Sequence, residues 1–292
     1  MKDPLWVPSK ERVRDSLMQE FMEACPEKFD SYFDLHEWSI RDMESFWSQF
    51  WDFSNIKYSK SYDSVLKNPV MPGAKWFSGS KLNYAENLLK GDPNQVAVIS
   101  LGESGSAKSV TFRELNLKVS SVQKGLINLG VEKGTIVAGF VPNCVETVII
   151  MLAVSSLGGI WTSCSPDFGS RGVVDRFGQV NPHILITSNG YSYNGKLFNL
   201  EDKVNGVLNA IDSIQHVVEI EYVDISSNFN HVSVVSFDNL LGNESPNPSF
   251  EQLPFDHPLY IMYSSGTTGP PKSIIHSSGG TLIQHMKEHQ LH

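Results

Sequence analysis

From residue 93 onward the chain alternates short aliphatic and β-branched runs with amphipathic stretches of about three turns, and that rhythm leaves few folds open. VAVIS, TIVAGFV, IWTSC, HILIT and HVVEIEYV read as strands. VTFRELNLKVSSVQKGLINLG, NCVETVIIMLAVSSLGG, SRGVVDRFGQV and NLEDKVNGVLNAI read as the helices between them. The first helix carries a T-x-x-E capping box, Thr111 and Glu114, and stops at Gly130; the second starts on the N-x-x-E of Asn143 and Glu146. Strands that are apolar on both sides and joined by helices pair in parallel, with the helices covering both faces. The expected class is therefore α/β, with a mostly parallel β-sheet and helices on both faces.

The first 92 residues differ in composition. They hold five of the six tryptophans and read as mainly helical. PSKERVRDSLMQEFMEAC predicts a helix capped by Ser9, with Val13, Leu17 and Phe21 along one face. SIRDMESFWSQFWDF predicts another from Ser39, whose stripe of Phe46, Trp47, Phe50 and Trp51 is expected to dock on a larger body. Residues 71–89 read as a Pro/Gly-rich connector into a short helix. The expected division is 1–92, a mainly helical N-terminal region, and 93–292, an incomplete α/β domain.

Charge and cysteine usage exclude several classes. A net charge of −9 without a Lys/Arg run leaves no footprint for nucleic acid. Cys25, Cys144 and Cys164 are odd in number and far apart, which argues against a disulfide framework or a structural zinc. MKDPLWVPSKERVRD has no apolar core of a secretory signal. The longest apolar run, VETVIIMLAVSSLGGIW, contains Glu146, two serines and two glycines and falls short of a bilayer span. The expected location is the cytoplasm.

The chemistry concentrates in residues 263–273, YSSGTTGPPKS. A buried strand, LYIMYSS, leads in, and SIIH leads out as another. Gly266 and Gly269 let the main chain approach a ligand closely, Ser264, Ser265, Thr267 and Thr268 add hydroxyl donors, and Lys272 adds a positive charge. This set suits a polyphosphate at the C-terminal edge of a sheet. Pro271 stands before the lysine and β-branched residues follow it, so the G-x-x-x-x-G-K-[ST] loop that opens a helix is excluded.

YSSGTTGPPK resembles the Y-[ST]-S-G-[ST]-T-G-x-P-K-G phosphate loop of the acyl-adenylate-forming enzymes over ten consecutive positions. Ser273 departs from it, standing where that pattern has glycine. MPGAKWFSGSKLNYAENLL, SPDFGSRGVVDRFGQVNP and HSSGGTLIQHMKEHQLH are similar to segments of the short-chain acyl-CoA synthetases, foremost the branch that activates acetoacetate. The resemblance implies an acyl-adenylate made from ATP and acetoacetate, then displacement of AMP by CoA. It implies that Ser264, Ser265, Gly266, Thr267, Thr268, Gly269 and Lys272 hold the ATP phosphates, which Mg2+ bridges. It implies CoA contacts at Lys196, Phe168 and Gly169. The adenylation lysine and the ATP/Mg2+ glutamate of such enzymes are expected downstream of residue 292, so no catalytic residue and no metal ligand is assigned here. The chain is expected to be the N-terminal portion of such a ligase, inactive and poorly soluble alone, with small-molecule partners only.

Rival readings come from other classes. HMKEH places His285, Glu288 and His289 in the H-x-x-E-H spacing of a zinc peptidase, with His292 on the same face. The reading preferred here is a polar helix with Leu282, Ile283 and Met286 inward. A non-catalytic binding module is a further alternative. Cys144, in the first turn of its expected helix, is either a reactive thiol or a packing residue.

Overall fold

The structure, a computed structural model, describes residues 5–103, 105, 107–231, 233–241, 247–264 and 269–292. The first expected helix is two, α1 (Lys10–Arg14) and α2 (Leu17–Ala24). Ser16 divides them: its hydroxyl donates to the Val13 carbonyl at 2.7 Å and accepts from the Gln19 amide at 3.2 Å. The expected start at Ser39 is also overturned. Ser39 lies inside α3 (Tyr32–Arg41), its hydroxyl donating to the His36 carbonyl. α4 (Met43–Phe53) begins instead at Asp42, whose carboxylate accepts from the Ser45 amide at 3.1 Å. Short strands follow, β1 (Tyr58–Lys60), β2 (Ser64–Lys67), β3 (Lys75–Ser78) and β4 (Lys81–Leu82), then α5 (Tyr84–Leu88).

VAVIS forms a strand, β5 (Val96–Leu101), but it pairs only with β6 (Ala107–Thr111) as a separate hairpin. α6 (Phe112–Asn128) carries the capping box as read, and Gly130 beyond it takes a φ of +82°. Then come β7 (Ile136–Phe140), α7 (Val145–Ser156), β8 (Ile160–Cys164), α8 (Ser170–Phe177) and β9 (Ile184–Ser188). α7 starts one residue later than read: Cys144 is its N-cap, with no side-chain cap bond. The chain continues through β10 (Gly190–Tyr193), β11 (Lys196–Asn199), α9 (Glu201–Leu208), β12 (His216–Ile220), β13 (Val234–Ser236), α10 (Phe237–Leu240), β14 (Leu253–Pro254), β15 (Pro258–Ser264), β16 (Lys272–Ser277) and α11 (Ser278–Leu291).

Seven strands form the main sheet in the order β13-β12-β9-β7-β8-β15-β16, parallel throughout except for β16. The period-2 alternation of strands sorts their side chains to two cores. Val137, Trp161, Ile184, Ile186, Val218 and Ile220 face α6 and α7. Ala138, Phe140, Leu185 and Val217 face α8 and α9. Gly139 stands where a Cβ would come within 2.5 Å of the Trp161 ring, so the absent side chain makes room for the indole.

A third core is aromatic and joins distant parts of the chain. Phe21, Trp38, Phe46, Phe50 and Trp51 pack with Phe77, Phe255 and, from α11, Leu282, Ile283 and Leu291. Trp51 stacks on Phe77 with ring centroids 4.7 Å apart. The aromatic stripe of α4 is thus an internal docking face, with Trp47 half-buried at its margin.

The connector supplies a polar tie. Asn83, fully buried, donates its side-chain amide to the carbonyls of Ser156 (3.0 Å), Ser155 (3.3 Å) and Glu251 (2.8 Å). Two of those carbonyls close α7, where helix carbonyls lack intrahelical partners. The Ser155 and Ser156 carbonyls also accept from the Gly158 and Glu251 amides, respectively, so Asn83→Ala removes one partner of each and is expected to cost about 0.5–1.5 kcal/mol in chemical denaturation; no measurable loss would show that the amide adds nothing to those bonds.

At the opposite edge of the sheet His216 accumulates neighbours. Its ring lies 5.6 Å from that of His183, and it shares Ser233 with His231. Burial, then the two neighbouring imidazoles, lowers its pKa from 6.5. Between the folded and unfolded values the unfolded chain binds the extra proton, so stability falls as pH drops below about 6.5. His216→Gln is expected to flatten the decline in melting temperature between about pH 7 and pH 5, and an unchanged slope would count against this account.

Candidate functional site

The loops after β7 and β8 leave the sheet for opposite faces, since α7 and α8 lie on different cores. Diverging loops open a crevice at the strand C-termini, where α/β sheets bind ligands. A cavity of about 620 Å3 occupies it, walled by Val141–Asn143, Ser163–Asp167, Tyr191–Tyr193 and Tyr222.

Tyr222 follows β12, and Tyr191 and Tyr193 come from the β10–β11 hairpin. Its turn residues Asn194 and Gly195 have φ of 50° and 70°, as an Asn-Gly hairpin turn requires. The sequence reading passed over this dipeptide in favour of strands and helices. Glu103, from the β5–β6 hairpin, receives the Ser192 hydroxyl (2.8 Å) and the amides of Asn194 (2.5 Å) and Gly195 (3.4 Å). These hydrogen bonds, Ser192 first, hold its carboxyl below the ordinary range.

Phe168 and Gly169 follow directly on the cavity wall at Asp167. The Arg176 guanidinium lies 4.5 Å from the Phe168 ring centre, and Gly169 is the N-cap of α8 with open space at its Cβ position. Lys196 is exposed, paired across the hairpin with Tyr193, and is not among the cavity-lining residues. A basic residue that the sequence reading missed stands at the rim. Lys203 donates to the Pro166 carbonyl at 2.9 Å and lies 5.4 Å from the Tyr191 ring centre. Burial lowers its pKa, and Asp167 partly opposes that. Its place in a charged amphipathic helix, α9, concealed it.

One strand beyond β8 the hydroxyl-rich loop joins β15 to β16, so the strand–loop–strand reading holds. Ser265, Gly266, Thr267 and Thr268 lie outside the described residues. Ser264 and Lys272 are cross-strand partners, which places the lysine at the strand edge beside the loop's first hydroxyl. Gly269 has a φ of +94°, a conformation that favours glycine. Thr162 of β8 braces the entry strand: its hydroxyl donates to the Ile261 carbonyl (2.9 Å) and is hydrogen-bonded to the Tyr263 hydroxyl (3.1 Å).

The other candidates resolve into structure. His285 is bonded to the Tyr84 hydroxyl through Nδ1 at 3.2 Å, and burial lowers its pKa. Glu288 pairs with Lys287 at 2.8 Å and accepts from Gln284, so two of the three H-x-x-E-H side chains, His285 and Glu288, are engaged elsewhere. Among the described residues no group of three His, Cys, Asp or Glu is arranged to hold a metal. Leu282 and Ile283 are buried and Met286 packs beside them. Among the described residues no helix is long and apolar enough to cross a membrane.

A doubly wound, largely parallel sheet with a switch-point cavity is the arrangement of those α/β enzymes that take ligands at their strand C-termini. The family described as AMP-binding enzyme matches residues 86–291, and that described as acetyl-coenzyme A synthetase N-terminus matches residues 32–88. The chain belongs to the AMP-binding enzyme family. It is 42% identical to an acetoacetyl-CoA synthetase of Mus musculus and 40% identical to one of Rhizobium meliloti, each match covering 99% of this chain and 45% of the relative. The solved acetoacetyl-CoA synthetase of Streptomyces lividans superposes with a TM-score of 0.92 at 37% identity, over 98% of this chain and 45% of that one. The chain therefore spans a little under half the length of these relatives.

The three cysteines are buried. Burial pushes each thiol up to about 11 from 9.0, so helix N-terminal placement does not activate Cys144. Alkylation at about pH 8 is expected to run at least about 100-fold slower in the native chain than in denaturant. Rapid labelling of Cys144 would reverse that assignment.

Proposed function

We propose that the chain is the N-terminal portion of an acetoacetate–CoA ligase, which forms an acyl-adenylate from ATP and acetoacetate and then passes the acyl group to CoA. The carrying observation is the cross-strand pairing of Ser264 with Lys272, which brings the two ends of the Ser/Thr/Gly segment together at the C-terminal end of β15. Identity of about 40% to acetoacetyl-CoA synthetases along 99% of the chain supports the choice of acid. In this reading Ser264, Ser265, Gly266, Thr267, Thr268 and Gly269 offer hydroxyl and main-chain N–H donors to the β- and γ-phosphates. Lys272 supplies a charge toward them. Such preorganised donors stabilise charge that shifts as the α-phosphorus is attacked, without covalent chemistry of their own. Magnesium arrives on the triphosphate as part of the substrate.

CoA takes the cavity side, with Phe168 and Gly169 at the turn, Lys196 on the hairpin and Lys203 at the rim. The partners are small molecules, the location is the cytosol, and turnover requires the part of the enzyme that the longer relatives have beyond this match. The test is acetoacetate-dependent exchange of labelled pyrophosphate into ATP, run on this chain and on a version extended to the relatives' full length. Exchange is expected only from the extended protein, and Lys272→Ala in it is expected to lower exchange by about 10-fold or more. Exchange by the short chain would show that it holds the whole adenylation machinery. No exchange from either, with acetate and butyrate also tried, would sink the ligase reading.

A further inference from the structure

Helix α8 touches both proposed subsites, and one of the side chains that does so lies outside every motif so far assigned. Gln179, in the turn that ends α8, donates its amide to the Pro271 carbonyl at 2.9 Å. Its side-chain oxygen accepts the Ser273 hydroxyl, also at 2.9 Å. The same amide nitrogen donates to the Asp175 carbonyl at 2.6 Å, which ties the side chain to its own helix. Pro271 and Ser273 flank Lys272. One planar amide therefore grips the loop's exit on both sides of its lysine.

The entry strand meets the same helix through Arg176. Its guanidinium lies 4.5 Å from the Phe168 ring centre and 6.0 Å from that of Tyr263, the residue before Ser264. Arg176 is anchored by a bond from its Nη1 to the Gly172 carbonyl at 2.7 Å. α8 thus begins at the Phe168–Gly169 turn and ends at the exit of the phosphate loop.

We propose that Gln179 is a positioning residue: it clasps the loop exit to α8 through Pro271 and Ser273 and so fixes where Lys272 is presented. This rests on the loop's reading as a phosphate grip. The hydroxyl of Ser273 is what a glycine at that position lacks, so the departure from the resembling pattern adds the second half of the clasp. Pro271 suits the first half, because its ring fixes φ and holds the accepting carbonyl in one direction.

The test uses Gln179→Leu, Ser273→Ala, their combination and Ser273→Thr. Amide hydrogen exchange over residues 269–275 reads the clasp directly, without ligand. Gln179→Leu is expected to speed exchange there by about threefold to tenfold, the loss of net hydrogen bonds of ordinary strength. Ser273→Ala should do less, the combination no more than Gln179→Leu, and Ser273→Thr should match the parent because it keeps the hydroxyl. In the extended enzyme, KM for MgATP is expected to rise by a similar factor, with a smaller change in kcat and an unchanged melting temperature. Unaltered exchange at 269–275, or independent addition of the two substitutions, overturns the clasp. Faster exchange with an unmoved KM for MgATP overturns its role in positioning. An extended parent enzyme that makes no use of ATP removes the ligase reading, and with it the positioning role, while the exchange data still judge the clasp.

Discussion

A largely parallel sheet whose central strands are buried on both faces is the constraint from which the rest of this structure follows. Each central strand must send one set of side chains to α6 and α7 and the alternate set to α8 and α9, and the residue types comply position by position. Val137 and Ala138, Ile184 and Leu185, and Val217 and Val218 divide between the two cores in register. Because the central strands β7, β9 and β12 are covered on both faces, a one-residue slip in them would exchange two apolar sets that are packed against different helices. The same requirement sends the crossovers to both sides, and the crevice they leave at the strand C-termini is the cavity. The site is thus a geometric consequence of covering the sheet.

Two unlike interactions stand out among those that bind the N-terminal region into this body. One is apolar, the aromatic core in which Trp51, Phe77 and Phe255 meet Leu282 and Ile283 of α11. The other is polar and narrow, the buried amide of Asn83 on the last carbonyls of α7. Burying large aromatic surfaces provides most of the driving force, while the amide specifies orientation, because a fully buried side-chain amide is costly wherever it lacks these acceptors. α11 therefore belongs to two neighbourhoods at once. It follows the β15–β16 hairpin in sequence, and it seals the aromatic core in space.

Where local reading failed, a competing local bond or a distant contact decided the outcome. Ser39 is a good cap by composition, yet its hydroxyl turned back onto the His36 carbonyl and Asp42 took the cap one turn later. The short strands between residues 58 and 82 carry little periodicity, and β1, β4 and β14 pair only because tertiary packing brings them together. Asn194-Gly195 was legible as a turn and was passed over. Lys203 and Gln179 carried no legible signal: one sits in a charged helix and the other in a turn, and each gains its role from a partner far along the chain.

The amino-acid sequence by itself determined the α/β class, the order of the main strands and helices, the strand–loop–strand form of the Ser264–Lys272 segment and its resemblance to adenylate-forming enzymes. Those properties are written in periodicity, capping pairs and a contiguous motif, all of which act over a few residues. Only the tertiary structure decided the strand order of the sheet, the sharing of one aromatic core by the two ends of the chain, and the company kept by Cys144, His285 and Gln179. These depend on which surfaces meet. A side chain's hydrogen-bond partner, burial and proton affinity are properties of the residues around it in space, and their separation along the chain carries no record of that distance.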